Sequence, residues 1–125
     1  MASDRSESQE NYIETIHILS KKKPVVRSVD IANELGFKKP SISIAMKSLR
    51  EQELITVTEE GYIYLTEKGL AIAMSVYEKH QVLTETLISL GVPEKIAEED
   101  ACRIEHIISE ETFLAIKEHR KNKRS

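Results

Sequence analysis

The sequence predicts a mostly α-helical chain with one small β-hairpin. Apolar residues recur at helical spacing over most of the 125 residues, two short segments rich in β-branched and aromatic residues flank Glu59-Glu60-Gly61, and Gly or Pro residues interrupt the helical pattern. Three helices, then the hairpin, then further helices is the order of a winged helix-turn-helix followed by a separate helical domain. We expect two domains, at residues 1–70 and 71–125.

The first three helices are predicted from their apolar stripes and their ends. Helix 1 runs over about residues 8–20, and the Lys- and Pro-containing segment 21–24 ends it. Ser28 is the expected N-cap of the second helix, and Gly36 closes that helix. Pro40 opens the third helix, because a proline at a first helical position lacks only an N–H that would be unpaired there.

The third helix carries an apolar residue on its polar face. Ile42, Ala45, Met46 and Leu49 form the inward face, which leaves Ile44 outward among hydroxyls and cations. Such a surface can hydrogen-bond to base edges, contact a thymine methyl group and bring charges to phosphates.

Positive charge is concentrated around this helix. Residues 21–50 hold eight Lys and Arg against Asp30 and Glu34, a local net charge of +6, whereas the whole chain has -3. A local basic block fits phosphate binding. We therefore predict binding to double-stranded DNA through Arg27, Lys38, Lys39, Ser41, Ser43, Ile44, Lys47, Ser48 and Arg50.

The hairpin and the helices after it complete the predicted fold. Strands at 55–58 and 62–65 form the wing, whose acidic tip suits phosphate poorly. A long helix starts near Thr66 and is broken at residues 91–93, two helices follow at about 93–108 and 110–118, and the basic tail 117–124 is expected to be frayed or disordered. The later helices have more apolar residues than they can bury alone, which predicts a homodimer through Leu87, Leu90, Ile96, Ile104, Ile107, Ile108, Phe113 and Leu114.

Composition narrows the setting. No apolar run is long enough to span a bilayer, and the amino terminus is too polar for a secretory signal, so we expect a cytoplasmic protein with no membrane partner. Cys102 is the single cysteine, so an internal disulfide is impossible and the thiol is available to bind metal or to pack.

A metal-ligand pattern surrounds that cysteine. Cys102, Glu105 and His106 stand at positions i, i+3 and i+4, which a helix brings to neighbouring parts of one face. Thiolate, carboxylate and imidazole are the groups that transition metals bind in proteins. The chain therefore combines a candidate metal site with a candidate DNA reader.

With both halves assembled, the sequence resembles the diphtheria-toxin-repressor family of metal-dependent transcriptional repressors, in the short, two-domain form typified by manganese transport regulators. The resemblance covers about residues 10–113. It is carried by Tyr12-Ile13-Glu14, Val29-Asp30-Ile31-Ala32, Leu65-Thr66-Glu67-Lys68-Gly69, Glu78-Lys79-His80 and Asp100-Ala101-Cys102-Arg103-Ile104-Glu105-His106. It implies a homodimer that binds operator DNA when it is loaded with metal, and a helical dimerisation domain after the wing.

The resemblance also implies which residues hold the ion. Glu14 matches the helix 1 glutamate of manganese-type members, Asn11 occupies the first ligand position, and His80 matches the linker-helix histidine. Cys102 has the iron-type form, and Glu98 stands where iron-type members have an additional histidine. The implied ligands are Asn11, Glu14, His80, Glu98, Cys102, Glu105 and His106.

This mixed set does not separate two ions. A thiolate favours iron(II), zinc(II) or cobalt(II), whereas oxygen donors also suit manganese(II). We expect iron(II) or manganese(II), with zinc(II) or cobalt(II) as further candidates.

Two other functions are compatible with parts of the sequence. Cys-x-x-Glu-His differs in one residue from the His-x-x-Glu-His pattern of inverted zinc proteases, but the chain has little room for a substrate cleft beside a DNA-binding domain. In a metal-independent winged-helix regulator the ligand set would be a coincidence. We predict a regulator rather than an enzyme, with no small-molecule substrate.

Overall fold

The computed structural model of the chain describes residues 7–124. These residues form six helices and one antiparallel hairpin, which confirms the predicted fold class. The polar residues 1–6, on which the expectation of no secretory signal depends, lie outside the described part. The elements are α1 (Glu7–Lys22), α2 (Ser28–Leu35), α3 (Lys39–Glu51), β1 (Ile55–Val57), β2 (Ile63–Leu65), α4 (Glu67–Ser89), α5 (Glu94–Ile104) and α6 (Glu110–Arg124).

The described residues divide into two compact units, the first at residues 8–74 and the second at residues 75–124 together with Glu7. The core of the first unit lies between its three helices and the hairpin. Its side chains are at most 1% exposed at Ile13, Ile16, Ile31, Ile42, Leu49 and Ile55.

The start of α2 differs from the prediction by one residue. Arg27 is the N-cap and Ser28 is already helical. The Asp30 carboxylate accepts a hydrogen bond from the Arg27 backbone N–H at 2.9 Å, so a side chain three residues into the helix satisfies that donor. Lys23 pairs with the same carboxylate at 3.2 Å.

The turn between α2 and α3 forms as predicted. Gly36 has φ of 73°, in the left-handed region that favours glycine, and its N–H donates to the Ala32 carbonyl at 2.8 Å. α3 then begins at Lys39 with Pro40 in its first turn.

The hairpin is joined to the rest of the first unit on both sides. β1 pairs with β2 in the register Ile55 to Leu65, and the Ile63 N–H donates to the Val26 carbonyl at 2.8 Å. A Cβ at Gly69, in the first turns of α4, would lie 2.1 Å from the Leu54 carbonyl oxygen. This backbone contact requires glycine where α4 leaves the wing.

The second unit contains the rest of α4 together with α5 and α6. α5 ends at Ile104, four residues before the predicted end, and α6 continues to Arg124, so the prediction of a frayed or disordered tail from residue 117 was wrong. Two ion pairs join that tail to α4, Lys117 to Glu78 and Arg120 to Glu85. Pairing of this kind favours the helical conformation over a disordered tail.

Within residues 7–124, no helix is both long and apolar enough to cross a membrane.

Candidate functional site

A cluster of potential metal ligands lies in the second unit. His80 Nδ1 is 2.8 Å from Glu105 Oε1, which is a hydrogen-bonding distance. His80, Cys102 and Glu105 each offer one ligand atom, and these three atoms lie within 4.8 Å of one another. In sequence, His80 is 22 positions from Cys102 and 25 positions from Glu105. The fold therefore brings together ligand atoms from distant parts of the chain.

Glu105 is the centre of this cluster. Its side chain is completely buried, whereas the side chain of His80 is 26% exposed. His106 Nε2 lies 3.5 Å from Glu105 Oε2, so the carboxylate stands between two imidazoles. A buried carboxylate needs such partners, because an ionised group without them would pay a large desolvation cost.

The end of α5 sets the positions of these side chains. The Glu105 N–H donates to the Ala101 carbonyl at 2.9 Å, so Glu105 keeps the last helical bond and stays one turn from Cys102. His106 follows α5 in a turn rather than in the helix that the sequence predicted. Cys102 and Glu105 are thus one helical turn apart, as the i, i+3 spacing predicts. His106, at i+4 from Cys102, is placed by the turn that follows α5 and not by the helix.

The donor set fits a divalent transition metal. Imidazole nitrogen, thiol sulfur and carboxylate oxygen are all ligands for zinc(II), cobalt(II) and iron(II), and the carboxylate also suits manganese(II). Cys102 is exposed, so an ion can reach the cluster from solvent.

Glu98 and Thr84 are two further polar residues of the second unit. Glu98 is exposed on α5, and its assignment as a ligand stays a prediction from the family resemblance. Thr84, one turn after His80, has a buried hydroxyl with no hydrogen-bond partner in the described part of the chain.

The two predicted ligands of α1 lie in the first unit. Asn11 and Glu14 are both half-buried, and the Asn11 carbonyl accepts a hydrogen bond from the Thr15 hydroxyl at 2.8 Å. Burial lowers the pKa of neighbouring His17, the charge of Lys21 lowers it further, and the Glu14 carboxylate opposes both.

The candidate DNA-binding face is accessible in the first unit. Of the four residues predicted for the inward face of α3, Ile42, Met46 and Leu49 are buried and Ala45 is half-buried. Ile44 is 72% exposed. The predicted contact residues Arg27, Lys38, Lys39, Ser41, Ser43, Lys47 and Arg50 are exposed, and Ser48 is half-buried.

One contact of this face was not predicted from the sequence. The Arg27 guanidinium lies 5.1 Å from the centroid of the Tyr62 ring, and its Nη2 donates to the Tyr62 hydroxyl oxygen at 3.4 Å. The two residues are 35 positions apart, so no local spacing rule pairs them. Two features of the sequence could have suggested this contact. Arg27 is a cation directly before the predicted second helix, and Tyr62 is the first residue of the predicted second strand.

The predicted dimer residues divide by exposure. Leu90 and Ile107 are each 73% exposed, Leu114 is 50% exposed and Ile96 is 47% exposed. Leu87, Ile104 and Ile108 are intermediate. Phe113 is only 2% exposed, with the Lys79 Nζ 5.9 Å from its ring centroid, so it is a core residue and its prediction as an interface residue was wrong.

Comparison with known families matches both halves of the chain. A family model described as the N-terminal DNA binding domain of iron dependent repressors matches residues 4–63. A second, described as the iron dependent repressor metal binding and dimerisation domain, matches residues 66–123.

Individual relatives agree with these matches. The transcriptional regulator MntR of Escherichia coli O6:H1 is 34% identical over 113 residues, 90% of this chain and 73% of the relative. The iron-dependent repressor IdeR of Mycobacterium tuberculosis H37Rv is 30% identical over 106 residues, 84% of this chain and 46% of the relative. The crystal structure of IdeR from T. acidophilum superposes with a TM-score of 0.74 at 27% identity, covering 97% of this chain and 56% of that one.

Proposed function

Because this chain belongs to the iron-dependent repressor family, we propose that it is a transcriptional repressor that binds operator DNA as a homodimer when loaded with a divalent transition metal. Iron(II) and manganese(II) are the proposed ions, since the relatives include an iron-dependent repressor and a regulator named MntR, and since solved relatives include a manganese-dependent repressor with manganese. The proposed place of action is the cytoplasm.

The observation that carries this proposal is the cluster of His80, Cys102 and Glu105. Three different donor types converge within 4.8 Å in a unit whose family model is described as metal binding. We propose these three residues and His106 as ligands. Asn11, Glu14 and Glu98 remain proposed ligands on the family resemblance alone.

A bound ion would supply positive charge at a point where the chain concentrates electron-pair donors. Glu105 would hold it with a carboxylate that is already buried and oriented by the His80 hydrogen bond. Cys102 would contribute its exposed sulfur. Little side-chain ordering would then be needed on binding, which favours affinity.

The proposed contact with DNA is made by α3 of the first unit. Its exposed hydroxyls can hydrogen-bond to base edges, and its cations can neutralise phosphates. A homodimer would present two such helices to a two-fold operator. A coupling of about 1–3 kcal/mol between metal and DNA binding would suffice for regulation, and DNA would then tighten metal binding equally.

The test is a DNA-binding titration under anaerobic conditions, with manganese(II), iron(II), cobalt(II) and zinc(II) added separately. Duplexes enriched from a random pool by the metal-loaded protein serve as the probe. We expect at least one ion to raise the affinity of the wild type about tenfold or more. Cys102→Ala and Glu105→Gln should lose this response and keep weak, salt-sensitive binding, because phosphate contacts survive.

Glu99→Gln is the matched control, since Glu99 is an exposed carboxylate on the same helix. It should respond to metal as the wild type does. Unchanged DNA affinity on metal addition and on chelation would instead support a metal-independent regulator. A full metal response in Cys102→Ala and Glu105→Gln would contradict the ligand assignment.

A further inference from the structure

We propose that Ile44 recognises the C5-methyl group of a thymine in each operator half-site. This inference rests on the proposed function and adds the identity of a base that the recognition surface reads. The inference concerns Ile44, a residue that the packing of the fold does not require at this position.

The exposure of Ile44 carries the first step. At 72% it exceeds the other exposed large hydrophobic residues of the first unit, which range from 42% to 52%. Isoleucine is also a poorer helix former than alanine. Neither burial nor helix propensity therefore explains an isoleucine at the centre of α3.

The surroundings of Ile44 carry the second step. On a helix its neighbours at i−3, i+3 and i+4 are Ser41, Lys47 and Ser48. From Lys38 to Arg50 the sequence contains no Asp or Glu. An apolar side chain set in a cationic, hydroxyl-bearing face complements a polyanion better than it complements the apolar surface of a protein partner.

The chemistry of the major groove narrows what Ile44 can contact. A major groove admits an α-helix, and its base edges present hydrogen-bond donors and acceptors except for the thymine methyl group. Isoleucine has no donor or acceptor in its side chain, so hydrogen bonding cannot give it a base preference. The thymine methyl is the apolar group that it can distinguish.

The size of the effect follows from one methyl group removed from water. Replacement of the contacted thymine by uracil deletes that methyl and leaves every hydrogen-bonding group unchanged. We expect about a fourfold loss of affinity per half-site and about fifteenfold when both half-sites are changed, if the two sites act independently.

The experiment is a thymine-to-uracil scan of the enriched duplex, measured with the metal-loaded protein. The wild type should lose affinity at one thymine position per half-site. Ile44→Ala should bind the unmodified duplex more weakly and be insensitive to uracil at that same position. Because Ile44 is exposed and alanine favours helix, this variant should fold.

Ile18→Ala is the matched control, since Ile18 is an exposed isoleucine on α1 of the same unit. It should show the uracil profile of the wild type. Two results would overturn the role of Ile44 and leave the proposed function intact. In the first, the wild type selects a sequence but binds equally well with uracil at every thymine position. In the second, Ile44→Ala loses as much affinity on uracil substitution as the wild type does. Failure to enrich any sequence with any of the metals would overturn both. In another outcome, Ile44→Ala keeps the DNA affinity and the uracil profile of the wild type. That result would overturn the proposed contact between Ile44 and thymine.

Discussion

The Arg27 guanidinium lies over the Tyr62 ring, with 5.1 Å between its carbon and the ring centroid, and donates to the Tyr62 hydroxyl at 3.4 Å. This contact joins the start of α2 to the wing. Arg27 is exposed, so its charge remains available to a phosphate while the ring restricts its rotamers. An ordered cation loses less entropy on binding than a freely rotating one.

We therefore predict that Tyr62→Ala weakens DNA binding even if Tyr62 itself touches no DNA. Arg27→Ala should weaken binding more and lower the slope of log affinity against log salt by about one, the value for one phosphate contact. In the double variant the Tyr62 substitution should have little further effect. Fluorescence anisotropy titrations at several salt concentrations measure these differences.

Tyr64→Ala provides the control, because Tyr64 is an exposed tyrosine on the same strand region that is not stacked on Arg27. Its salt slope should equal that of the wild type. Additive losses for Arg27 and Tyr62 would contradict the positioning role.

Gly69→Ala should destabilise the first unit. In most helix interiors this substitution stabilises by about 1 kcal/mol, because alanine is the better helix former. Here the new Cβ would lie 2.1 Å from the Leu54 carbonyl oxygen, so the backbone must move. We expect a loss of about 2–3 kcal/mol in the free energy of unfolding, typical of overpacking. Urea denaturation measures it, with Ser75→Ala at an exposed position of α4 as control.

Asp30 makes the free energy of unfolding depend on pH in the acidic range. The Arg27 backbone N–H, which hydrogen-bonds to its carboxylate, holds the pKa of Asp30 below its usual value near 3.8, and Lys23 contributes in the same direction. A lowered native pKa stabilises the fold above the unfolded-state pKa, and this contribution is lost as the pH falls through the native value.

Asp30→Asn should therefore reduce the free energy of unfolding at pH 7 by about 0.5–1 kcal/mol, consistent with a helix-terminal contact. The difference from wild type should shrink as the pH is lowered below about 4. Urea denaturation between pH 3 and pH 7 tests this. Glu34→Gln, at an exposed position of the same helix, should leave the pH profile unchanged.

Cys102→Ser should change metal preference. Replacing a soft sulfur by a harder oxygen should weaken binding of zinc(II) and cobalt(II) by about tenfold or more and affect manganese(II) less. Calorimetric titration gives the affinities. The sulfur-to-cobalt charge-transfer absorption should appear with wild type and with the exposed control Arg103→Ala, but not with Cys102→Ser. Equal losses for all ions would argue against a sulfur ligand.

Phe113 and Leu114 should give opposite outcomes although they are adjacent. Phe113 is buried, so Phe113→Ala should lower the free energy of unfolding by about 3–4 kcal/mol. Leu114 is 50% exposed and is a predicted interface residue, so Leu114→Ala should raise the dissociation constant of the proposed dimer by about tenfold while leaving the secondary structure intact. Sedimentation over a range of protein concentrations, beside thermal unfolding, separates these effects.

The order of elements followed from the sequence because periodicity and turn chemistry are local. Gly36 and the Ile55 and Ile63 segments behave as their immediate neighbours in sequence predict. The end of α5 and the full length of α6 did not follow. The length of α6 depends on two ion pairs with α4. Glu85 and Arg120 are 35 positions apart, and Glu78 and Lys117 are 39 positions apart, so no local pattern indicates either pair.

The same distinction applies to the candidate site. Cys102 and Glu105 were predicted from helical spacing, and His80 came from the family resemblance rather than from its neighbours. The direct contact of His80 with Glu105 is tertiary, and so is the stacking of Arg27 on Tyr62. Glu98 likewise came from the family resemblance, and its role as a ligand stays a prediction.

The ion pairs of α6 also bear on how the chain behaves toward immobilised polyanions. Its carboxy-terminal sequence looks as cationic as the region around α3, yet Lys117 and Arg120 already face carboxylates of α4. Elution from heparin resin should therefore shift to lower salt when Lys47 is replaced by alanine, and change much less when Lys117 is.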